Sequence, residues 1–230
     1  MASSSSDGSI DPVEHAPEPK NSVCVIFSSD SGEEKIGKFT VDPDLYRDTY
    51  GMVFEGTFRK LGSEKDEKAM MRLFSPENIF CYKSEARALR ILNDCTCVPK
   101  LLAKGCTLGC KGDIPGGLVI IKTLCPGQRF GLEFWCQFTR LNGTEKPWVA
   151  VKEAFGEVLD FGVEVNTIIP DSVLWHEESG KAYLLDFDDW SSAKYNIARW
   201  GREGCLIDML CTLTGNRGLL NHKKLIKGKK

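Results

Sequence analysis

Residues 162–190, with the sequence GVEVNTIIPDSVLWHEESGKAYLLDFDDW, carry the most local information about the fold. Two short apolar segments, 173–175 and 182–187, lie on either side of a polar turn. Gly180 in this turn suits a tight connection between antiparallel strands, because glycine adopts backbone conformations that other residues avoid. The stretch therefore predicts a β-hairpin that leads into an aspartate-rich segment.

Outward from this hairpin, the chain alternates between strand and helix patterns. Short apolar or alternating runs predict strands at 23–27, 51–58, 67–74, 98–102 and 117–124. Strong helix formers with apolar residues on one face predict helices at 82–93, 149–161 and 203–213. A β-rich front half followed by a more helical back half favours an α+β fold with two lobes.

Composition excludes several classes of protein. The 230 residues include 30 basic and 32 acidic side chains, and this net charge of −2 argues against binding to DNA or RNA. No run of apolar residues approaches the length of a membrane-spanning helix, so no membrane insertion is expected. The polar N-terminus lacks a secretory signal pattern, which predicts a cytoplasmic or nuclear protein with ten reduced cysteines.

The ordered motifs of residues 162–190 resemble the protein-kinase-like fold, most closely the small kinase-like proteins abundant in filamentous fungi. The match includes the pair Gly162-Val163, the run 173–175, and an apolar strand that ends in Asp186-Phe187. The resemblance extends over about residues 40–215. It implies an α+β, two-lobed fold with a β-rich N-lobe and a truncated, mostly helical C-lobe.

On this resemblance, the chain divides into four parts. Residues 1–21, rich in serine, proline and acid, are expected to be disordered because they offer too little apolar surface to bury. Residues 22–124 would form the N-lobe and residues 125–220 the C-lobe. Residues 221–230 hold five lysines and are interpreted as a solvated tail, or alternatively as a nuclear-import or polyanion-binding patch.

The family's catalytic loop is degenerate in this chain. The positions of its histidine, its basic aspartate and its metal-binding asparagine fall on Val165, Thr167 and Ser172. A threonine hydroxyl cannot act as a general base near neutral pH, and loss of that base alone slows a reaction by about 10²–10⁴. Asp186 is the metal position that survives, and Asp171 is a nearby carboxylate that could compensate.

The implied nucleotide site is eroded in the same way. Gly51 matches the end of the family's glycine-rich loop, and Arg72 stands at the position of its phosphate-binding lysine. Glu85, thirteen residues further on, would be the ion-pair partner of Arg72. The backbone of Lys122 to Leu124 resembles the hinge that holds adenine.

Two function classes follow, with an unrelated α+β domain as a third possibility. The first is a pseudokinase: a catalytically impaired binding or regulatory module with an unknown protein partner and at most weak binding of ATP and Mg²⁺. The alternative is an active ATP-dependent phosphotransferase, on a protein or small-molecule substrate, that uses Asp186 with Asp188 or Asp189 for the metal. Under the first reading, Asp186 is expected to pair with Arg72 instead of holding metal tightly.

Four cysteines are candidates for a separate metal site. Cys95, Cys97, Cys106 and Cys110 give the spacing C-x-C followed by C-x₃-C, which differs from the usual zinc-binding spacings. Ordinary thiols are therefore favoured over zinc.

Overall fold

The computed structural model of the chain describes residues 23–28, 34–42, 47–48, 51–110, 114–130 and 146–214. Twelve strands lie in these ranges: β1 Val23–Ser28, β2 Lys35–Val41, β3 Arg47–Asp48, β4 Gly51–Lys60, β5 Glu67–Phe74, β6 Leu101–Cys110, β7 Gly117–Thr123, β8 Gln128–Arg129, β9 Val163–Val165, β10 Val173–His176, β11 Lys181–Leu184 and β12 Trp190–Ser192. The helices of these ranges are α1 Ile79–Ile91, α2 Lys146–Asp160 and α3 Ala193–Thr214, with 3₁₀ turns at Pro76–Asn78 and Pro170–Ser172.

The front half of the chain forms a closed barrel. Its six antiparallel strands follow the order β2-β1-β6-β7-β5-β4, and β4 pairs back onto β2, while β3 extends the sheet beside β4. The closure removes the open sheet edges that an N-lobe of the expected kind would have. The expectation of a two-lobed protein-kinase-like fold is therefore wrong, and the structure is a small barrel accompanied by three helices among the described residues.

Glycines permit the contact that closes the barrel. At Gly56 in β4, an added Cβ atom would lie 2.0 Å from the carbonyl oxygen of Thr40 in β2. At Gly37, on the other side of the same seam, it would lie 2.6 Å from the carbonyl oxygen of Arg59. The two strands can approach each other this closely only because these positions carry no side chain.

Two apolar clusters lie on opposite sides of the barrel wall. Inside the barrel, β5 contributes Ala69, Met71 and Leu73, which pack with residues from the other strands. Phe74, next along the strand, belongs instead to a second core shared with α1, α2 and α3. This division follows from the two-residue period of a strand, which sends alternate side chains to opposite faces.

The predicted hairpin in the back half is confirmed. β10 and β11 pair in antiparallel register from Val173 opposite Leu184 to His176 opposite Lys181. Gly180 has a φ of 64° in the turn between them, a conformation that favours glycine. The predicted helices at 82–93 and 149–161 correspond to α1 and α2. α3 is longer than predicted and is interrupted at Gly201, whose φ of 75° is not helical.

Some expectations concern residues outside the described ranges or receive no test. The tails at 1–21 and 221–230 lie outside the described ranges, and the boundaries of the two expected lobes stay predictions. Cys24 is disulfide-bonded, so the expectation that all ten cysteines are reduced is wrong at this residue. Within the described part of the chain, no helix is both long and apolar enough to cross a membrane.

Candidate functional site

Two basic side chains project from the outer face of the barrel, where the barrel contacts α1. Arg72 lies on β5 between the inward-facing residues Met71 and Leu73, and Lys122 follows the inward-facing Ile121 on β7. The register places Lys122 opposite Met70, two residues from Arg72 on the same face of the sheet. Strand alternation thus brings both cations to one spot outside the barrel, and both are buried.

Glu85 on α1 meets both of these cations. One of its carboxylate oxygens, Oε2, accepts a hydrogen bond from Arg72 Nη1 at 2.7 Å, and the other, Oε1, accepts one from Lys122 Nζ at 2.6 Å. Glu85 has no solvent exposure. The Arg72–Glu85 pair expected from the thirteen-residue spacing is therefore confirmed, with a third member, Lys122, which was predicted only for its backbone.

The segment after β11 supplies the remaining negative charge. Asp186 Oδ1 lies 3.4 Å from Arg72 Nη1 and 3.9 Å from Lys122 Nζ, and Asp188 Oδ2 lies 3.0 Å from Arg72 Nη2. Lys122 Nζ also donates to the carbonyl oxygen of Leu185 at 2.7 Å. The expected pairing of Asp186 with Arg72 is confirmed as a direct contact. We call Arg72, Lys122, Glu85, Asp186 and Asp188 the charge cluster.

Neighbouring opposite charges favour the ionised forms of Asp186 and Arg72. Although burial disfavours its charge, the pKa of the Asp186 carboxyl is held below its ordinary value by Lys122 and Arg72 and by the Ser172 hydroxyl. Burial likewise disfavours the charge of Arg72, yet the neighbouring carboxylates of Glu85, Asp186 and Asp188 raise its pKa. The pairing therefore compensates for much of the desolvation that burial imposes on these groups.

A small cavity opens beside the charge cluster. Its volume is about 240 Å³, and its lining includes Arg72, Asp186 and Asp188 together with Asp189 and Thr167. Thr167 Oγ1 donates to Asp189 Oδ2, and Asn166 Nδ2 donates to Asp189 Oδ1 at 2.9 Å. Typical sites for drug-sized ligands occupy about 300–1,000 Å³, so this cavity is small for a nucleotide.

The three residues that the resemblance aligned with a catalytic loop occupy very different surroundings. Val165 lies in β9, pairs with Trp190 and is buried in the core that the helices share. Thr167 is exposed and bound to Asp189, whereas Ser172 is buried and donates to Asp186 Oδ2. Val165 therefore packs in the core and does not line the cavity.

The other residues expected to bind nucleotide are distributed along the sheet. Gly51 begins β4 opposite Asp48, two residues before Val53, which pairs with Arg72. Leu124 directs its backbone N–H at the carbonyl oxygen of Lys68, at 3.4 Å. The backbone of Lys122 lies in the ladder between β5 and β7. The structure thus brings the side chains of Arg72, Glu85 and Lys122 together. The backbone N–H of Leu124 is already hydrogen-bonded within the protein.

Magnesium is a poor fit to this set of ligands. Mg²⁺ favours carboxylate oxygens in octahedral geometry and retains several waters. Here Asp186 Oδ2 already accepts a hydrogen bond from Ser172, and Asp186 Oδ1 faces both buried cations. A bound ion would compete with Arg72 and Lys122 for the same oxygen. Asp171, the compensating carboxylate, is exposed, and its backbone carbonyl accepts a hydrogen bond from Arg129 at 3.2 Å.

Sequence reasoning missed the side-chain role of Lys122. A signal was present, because Lys122 interrupts the apolar run GLVIIKTL, and a charged residue in a buried strand needs a partner. The identity of that partner depended on the position of α1. Comparison with known proteins adds no assignment: no family model matches the chain, and no curated protein matches it significantly.

Proposed function

We propose that the protein is a non-catalytic binding module with at most weak affinity for nucleotide. The observation that carries this proposal is that the charged groups of the charge cluster pair with one another. The cations that could face phosphate, Arg72 and Lys122, are already bound by Glu85, Asp186 and Asp188. A phosphoryl-transfer site needs its cations and metal ligands directed at the nucleotide. In this protein the same groups neutralise one another.

The hydrogen bonds of the hydroxyl groups in the cavity lining support the same proposal. Thr167 is bonded to Asp189, and Ser172 to Asp186, so the hydroxyls of the lining serve to orient carboxylates. The charge cluster then acts as a structural link between the barrel, α1 and the hairpin.

A surface beside the cavity is suited to a protein partner. At the start of α1, Ile79 is 37% exposed and Phe80 is 82% exposed, and the next residue, Cys81, lines the cavity. Exposed aromatic residues are enriched in protein interfaces, where they bury much area at little entropic cost. The first turn of α1 is the place where we expect a partner of this module to bind.

The test is thermal unfolding in the presence of Mg²⁺ and ATP, combined with an assay of phosphate release. A ligand at its Kd stabilises a protein by about 0.4 kcal/mol, roughly 1 °C for a chain of this size. We therefore expect millimolar Mg²⁺-ATP to raise the Tm by no more than about 1 °C, without phosphate release above the protein-free rate.

The matched variants are Asp186→Asn in the charge cluster and Asp171→Asn on the exposed turn nearby. A saturable rise in Tm that disappears in Asp186→Asn and persists in Asp171→Asn would contradict weak nucleotide binding. Phosphate release that follows the same pattern would establish the alternative, an active ATP-dependent phosphotransferase that uses Asp186.

A further inference from the structure

A second cluster of reactive side chains lies outside the charge cluster, in the loop between α1 and β6. The sulfurs of Cys95 and Cys97 are 3.3 Å apart, and both residues are buried. The carboxylate of Glu157, on α2, approaches the same spot. One ligand atom from each of the three residues lies within 4.8 Å of the other two.

The loop holds the carboxylate in place. Thr96, between the two cysteines, donates its backbone N–H to Glu157 Oε1 and its hydroxyl to Oε2 at 3.0 Å. Each oxygen keeps a further lone pair, because a carboxylate offers about four acceptor sites. The backbone of Cys97 is fixed as well, since its carbonyl accepts a hydrogen bond from the N–H of Leu184 in β11 at 2.9 Å. Orientation of ligands by neighbouring groups in this manner is characteristic of metal sites.

Without a bound cation, the Glu157 carboxylate disfavours ionisation of the Cys97 thiol. Burial raises the pKa of the Glu157 carboxyl, but the hydrogen bonds from Thr96 hold this pKa below its ordinary value. The hydrogen bond with Cys95, the burial of the sulfur and repulsion by Cys95 and Glu157 all raise the pKa of the Cys97 thiol. A divalent cation would reverse this repulsion and stabilise both thiolates, as metal ions do for coordinating thiols.

We propose that Cys95, Cys97 and Glu157 form a binding site for a thiophilic divalent cation, best matched by Zn²⁺. Zinc accepts sulfur and carboxylate ligands in tetrahedral geometry, and its bond of about 2.3 Å to sulfur places two ligating sulfurs about 3.8 Å apart. The present separation of 3.3 Å must widen by about half an ångström to reach that value. A disulfide of about 2.05 Å would require a larger movement, in the opposite direction.

Binding releases the protons of both thiols and leaves the fourth zinc position for water. The ligands come from two parts of the chain, because Cys95 and Cys97 precede the barrel strand β6 whereas Glu157 belongs to α2. A bound ion would therefore link the α1–β6 loop to α2. This site uses none of the residues of the charge cluster, so the metal-binding test can succeed or fail independently of the proposed function.

The test uses the full chain, kept reduced with a phosphine and titrated with Co²⁺ and then Zn²⁺. Tetrahedral Co²⁺ bound by thiolates gives intense sulfur-to-metal charge-transfer absorption and visible d–d bands, which Zn²⁺ should abolish by displacement. In a thermal melt, free Zn²⁺ at a hundredfold excess over its Kd should raise the Tm by about 5–10 °C. Mg²⁺ at the same concentration should not reproduce this rise.

Variants locate the site. Cys95→Ser and Cys97→Ser should each lose the charge-transfer band and weaken Zn²⁺ binding by at least about tenfold, and Glu157→Gln should weaken it while retaining thiolate absorption. Cys81→Ser, at a half-buried free thiol outside the cluster, is the matched control and should bind as the parent does. Circular dichroism establishes that each variant is folded.

Two results from the unmodified protein would overturn the proposal, and neither depends on whether a variant folds. The first is the absence of cobalt–thiolate absorption in the reduced parent. The second is a Cys95–Cys97 disulfide found by mass spectrometry in protein that was purified without reductant but with Zn²⁺ present throughout. Bound Zn²⁺ should prevent oxidation of these two thiols. Retention of full binding in both cysteine variants would equally exclude this location.

Discussion

Replacement of Lys122 by methionine removes one of the two buried cations of the charge cluster while keeping most of the volume of the side chain. Lys122 is 1% exposed and makes three polar contacts: Glu85 Oε1 at 2.6 Å, the Leu185 carbonyl at 2.7 Å and Asp186 Oδ1 at 3.9 Å. The variant leaves the fully buried Glu85 with Arg72 as its remaining partner in the charge cluster, and it also removes a donor from the Leu185 carbonyl.

The expected loss follows from these contacts. Removal of one partner of a buried ion pair typically destabilises a protein by about 3–5 kcal/mol, because an uncompensated charge stays behind. For a chain of this size, 1 kcal/mol corresponds to about 2–4 °C, so we expect the Tm to fall by about 6–20 °C. Thermal and urea unfolding, followed by circular dichroism, measure this change. Lys68→Met, at an exposed position of β5, is the control and should change stability by no more than about 0.5 kcal/mol.

A second variant isolates the electrostatic cause. If the cost of Lys122→Met comes from the stranded carboxylate, Glu85→Gln in the same chain should recover part of it, and the double variant should lose less than the sum of the two single variants. A fall of less than about 1 kcal/mol for Lys122→Met, or strict additivity with Glu85→Gln, would refute the reasoning.

Two further predictions concern the acid limb of stability and the seam of the barrel. Because the folded pKa of Asp186 lies below its unfolded value, its ion pairs stabilise the fold above about pH 4 and lose this contribution as the pH falls further. The Tm difference between the parent and Asp186→Asn should accordingly be larger at pH 6 than at pH 3, and a constant difference would contradict the role of this carboxylate. Gly56→Ala places a methyl group 2.0 Å from the Thr40 carbonyl and should destabilise the barrel by about 1–3 kcal/mol in urea unfolding. Thr57→Ala, one residue along the same strand, is the control with an expected loss of less than about 1 kcal/mol, and equal losses at the two positions would show that the seam tolerates the added carbon.

Local patterns in the sequence were sufficient for the β10–β11 hairpin and for part of the charge cluster, but they predicted no strand at β2 and placed β6 at 98–102 instead of Leu101–Cys110. Alternation and turn chemistry predict the β10–β11 hairpin around Gly180, because both depend on residues that are close together in the chain. The Arg72–Glu85 pair was implied by the resemblance to a kinase-like segment and supported by the strand–helix pattern between the two residues.

The tertiary structure alone decided the closure of the barrel, the roles of Lys122 and Val165, and the meeting of Cys95 with Glu157. Closure depends on the pairing of β2 with β4, and strand patterns record which face of a strand is buried but not which strands pair at a distance. Val165 lies between the polar residues Glu164 and Asn166, whereas Lys122 follows an apolar run. Only the packing of the surrounding elements shows that the valine enters the core while the lysine meets a carboxylate. Glu157 lies 60 residues after Cys97 on a separate helix, so no spacing rule could have joined it to the cysteines. The physical reason is the same in each case: burial and charge pairing are satisfied by neighbours in space, and the sequence specifies those neighbours only through the complete fold.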